Sequence, residues 1–107
     1  MFSLQSIIRN AARSNHPFAW HVTFLTRGGA IVAIGYNHSD IHSEAHALSQ
    51  LWPDHKFGLV CWNFRVTSTG RLTMAKPCTA CQELLRLAKI KSIRYSNSEG
   101  KMERLKL

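Results

Sequence analysis

Carboxylates are scarce in this chain. Six Asp and Glu stand against fourteen Lys and Arg, for a formal charge of +8 over 107 residues. The imbalance is steepest at the end, where Arg86, Lys89, Lys91, Arg94, Lys101, Arg104 and Lys106 meet only Glu99 and Glu103. Such a surplus suits an anionic partner, either a phosphorylated small molecule or nucleic acid, or serves only as a solvated basic face. Long apolar runs are missing too: none approaches the roughly 20 residues that span a bilayer, so no membrane partner is expected. The opening Met1-Phe2-Ser3-Leu4-Gln5 lacks the basic start and apolar stretch of a secretory signal. Three cysteines cannot all pair, and a C-x-x-C outside the secretory route favours metal binding over a disulfide. A soluble, cytoplasmic protein is expected. There is no internal repeat, low-complexity segment or linker, so one domain over 1–107 is predicted, large enough for a single core.

The apolar pattern predicts the elements in order. Leu4, Ile7, Ile8, Ala11 and Ala12 have helical spacing within 3–14, and His16-Pro17 breaks it. Phe18 to Thr26 reads as a strand, Arg27-Gly28-Gly29 as a hairpin turn, and Ala30 to Tyr36 as a return strand apolar enough to be buried on both faces. Asp40 is the expected N-cap of a helix whose first turn holds Ile41 and His42 and which Pro53 ends. Leu59 to Val66 is a buried strand, with Trp62 and Phe64 on one face and Cys61 and Asn63 on the other. A further helix has Pro77 in its first turn and Cys78 and Cys81 on one face. Ile93–Tyr95 and Met102–Leu107 are the last strands. The link between them is too short for the dozen or so residues of a parallel crossover, so they are predicted to pair antiparallel. The result is an α-β-β-α-β-α-β-β order, one mixed sheet with helices packed on it.

Two motifs carry the chemistry: His42-Ser43-Glu44, and Pro77-Cys78-Thr79-Ala80-Cys81. One imidazole and two thiolates are the donor set of a catalytic zinc with a fourth position open to water. Helix N-termini at the cysteines would favour the thiolates. Glu44, two residues past the histidine, can reach such a water without binding the metal and can move its protons. A closed Cys2His2 structural site using His46, one helical turn from His42, would leave Glu44 idle. The H-E-x-x-H of zinc proteases is absent.

The paired motifs, H-x-E followed by P-C-x-x-C, resemble those of the cytidine and deoxycytidylate deaminase superfamily, whose zinc enzymes act on nucleosides, nucleotides or polynucleotides. The stretch from Gly28 to Asn37 is similar to the GG-x-I-x-x-x-GYN segment of deoxycytidylate-deaminase-like proteins. The run from Lys89 to Asn97 resembles the strand after the zinc helix. An antiparallel ending is similar to the cytidine-deaminase branch, whereas tRNA adenosine deaminases and deoxycytidylate deaminases usually place a helix there. The resemblance implies a cytidine-deaminase-like three-layer sandwich: a mixed five-stranded sheet, helices on both faces, antiparallel C-terminal strands. It implies Zn2+ on His42, Cys78 and Cys81, Glu44 as catalytic acid and base, and Asn37, Ser43, Pro77 and Tyr95 against the substrate. In it, Asn37 contacts the sugar and Tyr95 packs on the base. Chemistry alone leaves Asn37 free to be a turn residue ending its strand, and Tyr95 to be an ordinary core aromatic. Ser43 stands where alanine is commoner.

The function implied is hydrolysis of a cytosine ring to uracil and ammonia in a nucleoside or nucleotide. Two alternatives stay open. One is an open site on single-stranded nucleic acid, with phosphates held by Arg94, Lys91 or Lys76. The other is a non-catalytic zinc-binding module of the same fold. Closure of the pocket by a second copy of the chain is a further expectation.

Overall fold

The computed structural model describes residues 2–52 and 58–107, so Pro53 and the short loop through Asp54-His55-Lys56 lie outside the described residues. Helix α1 (Leu4–Ala11) opens with Ser3 as N-cap, its hydroxyl accepting from the Ser6 amide at 3.1 Å. That bond satisfies one of the unpaired amides at the helix start. Strands β1 (Trp20–Arg27) and β2 (Ala30–Tyr36) form a hairpin through Gly28 and Gly29. Both turn glycines have positive φ, 57° and 85°, as a two-residue turn between right-twisted strands demands. Helix α2 (Ser43–Ser49), β3 (Val60–Val66), β4 (Leu72–Thr73), α3 (Thr79–Leu87), β5 (Ser92–Ser96) and β6 (Met102–Leu105) complete the order.

The strands run β2-β1-β3-β5-β6, with the two-residue β4 added to the end of β3 as a sixth strand. Pairing is antiparallel except between β3 and β5, which are parallel and joined through α3. The β5–β6 hairpin pairs Ile93 with Leu105 and Ser96 with Met102, the antiparallel ending that the short connection requires. Asn97 holds its turn, the side-chain oxygen accepting from the Glu99 and Lys101 amides at 2.9 Å each.

Strand alternation sorts the core into two layers. On one face Val22, Phe24, Phe64 and Val66 pack against Ile7 and Ala11 of α1. On the other, Leu25, Cys61, Ile93 and Tyr95 pack against Ala47 and Leu48 of α2 and Leu85 of α3. The result is a helix–sheet–helix sandwich of mixed strands.

Several expectations need correction. β2 is an edge strand, with Ile31 47% exposed and Val32 36% exposed, so its apolar run is not buried on both faces. An apolar run shows what a strand can bury, not whether a neighbour arrives to cover it. Helix α2 starts at Ser43, with His42 rather than Asp40 at the N-cap, and stops at Ser49. Helix α3 starts at Thr79 with Cys78 at the N-cap, so Pro77 precedes the helix instead of sitting in its first turn. Trp52, the last described residue before Pro53, is 74% exposed.

Candidate active site and metal centre

Both motifs occupy helix starts on the same face of the sheet. His42 has extended backbone (φ −74°, ψ 153°) and so does Cys78 (φ −65°, ψ 165°), and neither side chain caps its helix. Helix N-caps favour Ser, Thr, Asp or Asn, whose oxygens accept from the free amides. Here those positions hold a histidine and a cysteine turned away from their own helices and toward each other. His42 Nδ1 lies 3.1 Å from Cys81 Sγ and 3.9 Å from Cys78 Sγ. All three donor atoms fall within 4.8 Å of one another.

These separations straddle the roughly 3.5 Å expected between nitrogen and sulfur ligands of one tetrahedral zinc, so the donor set fits that metal. Among the described residues the cluster has three members, which leaves the fourth position to a non-protein ligand. His46 is not one of them. Its Nδ1 accepts from the Tyr36 amide at 3.1 Å, and its ring meets those of Tyr36 and His38, both at 4.6 Å. The closed Cys2His2 arrangement is therefore not what the fold builds.

Burial, reinforced by the Glu44 carboxylate and by Cys78, pushes the Cys81 thiol well above its ordinary range in the metal-free protein. A metal binding here must displace that proton. Cys61 is a fully buried thiol, also raised by burial and then by Glu44 and Cys81, and it lies outside the cluster.

Glu44 is only 6% exposed, and a buried carboxylate needs partners. One oxygen accepts from Ser43 Oγ at 3.1 Å and the other from Asn63 Nδ2 at 2.9 Å. Thr23 closes the ring behind it: its hydroxyl donates to Asn63 Oδ1 at 2.6 Å and meets Ser43 Oγ at 2.8 Å. Residues 23, 43, 44 and 63 come from three elements, and the β1–β3 register sets Thr23 directly opposite Asn63. The hydroxyl of Ser43 has a partner on either side. In the sequence, Thr23 is one polar position of an alternating strand and Asn63 shares a strand face with Cys61, so neither stands out as a site residue. The available signal was a lone amide inside the apolar run Val60-Cys61-Trp62-Asn63-Phe64.

A cavity of about 460 Å³ opens over this floor, a size usual for small-molecule sites. His42, Ser43, Glu44, Pro77 and Cys78 line it, together with His16, His21, Asn37, Asp40 and Lys76. Asn37 uses its amide to extend the sheet beyond β2, accepting from the His21 amide and donating to the Ala19 carbonyl, both at 2.8 Å. One N–H and one lone pair remain for a ligand. His21 is lowered to about 4, by burial first and then by Arg65, His42 and His16.

Tyr95 does not line this cavity. It is buried in the core layer under α3, and its hydroxyl donates to Glu103 at 3.4 Å. Burial, then Glu103, raises its phenol. The expected packing of Tyr95 on a base is therefore not what its position provides. Arg94, its neighbour in β5, points to the opposite face of the sheet, against Trp62, so it cannot hold a phosphate beside the metal ligands.

The fold is that of the cytidine and dCMP deaminases. No protein-family model and no curated protein matches the sequence. Among solved structures, the chain is similar to cytidine deaminase from Mycobacterium leprae (TM-score 0.66, 19% identity, covering 94% of this chain and 88% of that one). It is also similar to dCMP deaminase from the cyanophage S-TIM5 (TM-score 0.65, 18% identity, 89% and 79% covered). A third likeness is to a mutant of cytidine deaminase from Mycobacterium tuberculosis (TM-score 0.61, 17% identity, 86% and 80% covered). Among the described residues, no helix is long and apolar enough to cross a membrane.

Proposed function

We propose that this chain is a zinc-dependent hydrolase that deaminates a cytosine ring in a nucleoside or nucleotide, yielding the uracil ring and ammonia. The observation that carries this reading is a buried Glu44 carboxylate, anchored from behind by Asn63 and Ser43, on the floor of a cavity it shares with His42 and Cys78. The fold's likeness to cytidine and dCMP deaminases supports it.

His42, Cys78 and Cys81 would hold the zinc. Bound there, it supplies Lewis acidity that makes water nucleophilic near neutral pH. Glu44 takes the proton released as water adds to the ring carbon bearing the amino group. It passes that proton to the ring nitrogen, then collects the proton of the newly added hydroxyl and delivers it to the departing amine. Asn63 and Ser43 hold the carboxylate in one orientation, so no rearrangement precedes the proton transfer. Asn37 and Pro77 shape the cavity around the sugar and ring. Among the described residues Lys76 is the one Lys or Arg on its lining, and it favours a substrate carrying a single phosphate.

The test is to incubate the zinc-loaded protein with cytidine, deoxycytidine, their monophosphates and a cytosine-containing oligonucleotide, and to assay uracil products. Turnover of a nucleoside or monophosphate is expected, and Glu44→Ala should lower it by roughly 10²–10⁴-fold while zinc content stays at one per chain. Uracil formed only within the oligonucleotide would overturn the substrate assignment. Equal rates in the parent and Glu44→Ala would overturn the mechanism.

A further inference from the structure

The basic surplus of the C-terminal third does not gather at the metal cluster. In register, Phe24 of β1 faces Trp62 of β3, Trp62 faces Arg94 of β5, and Arg94 faces Arg104 of β6. These four form one row across the sheet, on the face opposite α2 and α3. Helix α1 covers this face over β1 and β3, where Ile7 and Ala11 seal the aromatic core. The β5–β6 end, with Arg104 exposed and Met102 41% exposed, lies open beside it.

Arg94 and Arg104 sit directly opposite each other, and like charges in that relation destabilise a strand pair. Among the described residues no carboxylate offsets them: the ion pairs there are Arg86 with Glu83 and Lys101 with Glu99. Glu103, the one acid in β6, alternates to the other face, where it meets Tyr95 and Asn97. The sequence has no acid at all before Asp40, so α1 contributes none. Arg94 also keeps a buried Nε with no hydrogen-bond partner, while its guanidinium lies 5.2 Å from the Trp62 ring centroid. A buried unpaired donor is costly unless something accepts from it.

Beside this row runs an apolar groove of about 300 Å³, lined by Phe2, Leu4, Ile7, Trp62, Leu72 and Met102. The Trp62 indole is fixed by its N–H bond to Thr26 at 3.0 Å. Two arginines paired across β5 and β6, next to an aromatic-floored groove, match a strand that offers phosphates and flat rings at short intervals. A duplex hides its ring faces in the stack and cannot fill such a groove. An acidic protein segment would answer the charge and leave the groove unused.

We propose that the open β5–β6 face, with Arg94, Arg104 and the Trp62 groove, binds single-stranded nucleic acid. This surface is separate from the cavity over Glu44, and its occupancy is independent of what that cavity converts.

The test uses the zinc-loaded chain and fluorescein-labelled 15-mers of oligo(dT) and oligo(U), read by anisotropy across a salt series. Binding is expected to weaken as salt rises. The Arg94→Ala/Arg104→Ala pair should weaken it about tenfold or more and flatten the log–log salt slope by about 1.4, from roughly 0.7 per phosphate contact. Arg104→Glu alone, at an exposed site, should act in the same direction should the pair fail to fold. Glu44→Ala should bind as the parent does, and Trp62→Phe should reduce the quenching of tryptophan emission that accompanies binding. Four results would overturn the proposal: no oligonucleotide binding at low salt; parental affinity in Arg104→Glu; loss of binding in Lys76→Ala with the arginine variants unaffected; or polyglutamate displacing the oligonucleotide at equal charge concentration.

Discussion

Gly35 is the point at which strand β2 touches helix α2 without an intervening side chain. A Cβ built on it would lie 2.3 Å from the Ser43 carbonyl oxygen, 2.4 Å from the Ala47 amide nitrogen and 2.8 Å from Ala47 Cβ. Unbonded heavy atoms settle at roughly 3.5–4.0 Å, so Gly35→Ala must push α2 off the sheet by about 1 Å. The obstructing atoms are helix backbone, which cannot rotate aside as a side-chain tip can. The cost should therefore fall at or above the upper end of the roughly 1–3 kcal/mol typical of overpacking. At about 4–8 °C per kcal/mol for a domain near this size, the melting temperature should drop by at least about 10 °C. The helix also carries His42 at its start and Glu44 in its first turn. Its displacement should separate His42 from Cys81 and weaken zinc binding measurably. Thermal melts of the zinc-loaded protein and competition with a chromogenic chelator read the two effects. Gly28→Ala is the control: it has open space around its Cβ and a φ of +57°, and should cost only about 1–2 kcal/mol with zinc affinity unchanged. A Gly35→Ala protein that melts within about 2 °C of the parent and keeps its zinc would refute the close-contact reasoning.

Cys81→Ala should lose zinc by elemental analysis and melt lower, because metal affinity at such a site is also folding energy; unchanged zinc would remove Cys81 from the ligand set. Asn63→Ala should destabilise the fold by about 1–3 kcal/mol in urea titrations, since it strands the buried Glu44 carboxylate and the Thr23 hydroxyl together. A cost near zero there would mean the ring is not holding Glu44. His21, lowered from 6.5 to about 4, is neutral in the fold and must be protonated there at a cost. Its contribution is complete above pH 6.5 and disappears as pH falls from 6.5 to 4, up to roughly 3 kcal/mol. His21→Gln should therefore lose less stability than the parent between pH 7 and pH 4, a difference in which the metal loss common to both proteins cancels. Parallel acid-denaturation curves for the two would contradict this.

Much of this molecule is written in local chemistry. The order of helices and strands, apart from the two-residue β4, follows from apolar spacing, and Gly28-Gly29 specifies its turn because few other residues tolerate positive φ. The antiparallel ending follows from a connection too short for a crossover. His42, Cys78 and Cys81 could be picked out as a donor set from residue type and spacing, and the structure brings those atoms together. What the chain could not disclose on its own depends on contacts distant in sequence. Thr23 and Asn63 are forty residues apart, and they become partners of Glu44 only through the β1–β3 register. Gly35 looks like one more small residue in an apolar strand until α2 lies across it. Strand alternation separates Tyr95 from Arg94, but which of the two faces the metal cluster depends on the side taken by α2 and α3. Those helices put Tyr95 in the core and Arg94 on the far face. The apolar run of β2 is half exposed for the same reason: alternation and hydrophobicity belong to a strand, and its neighbours belong to the fold.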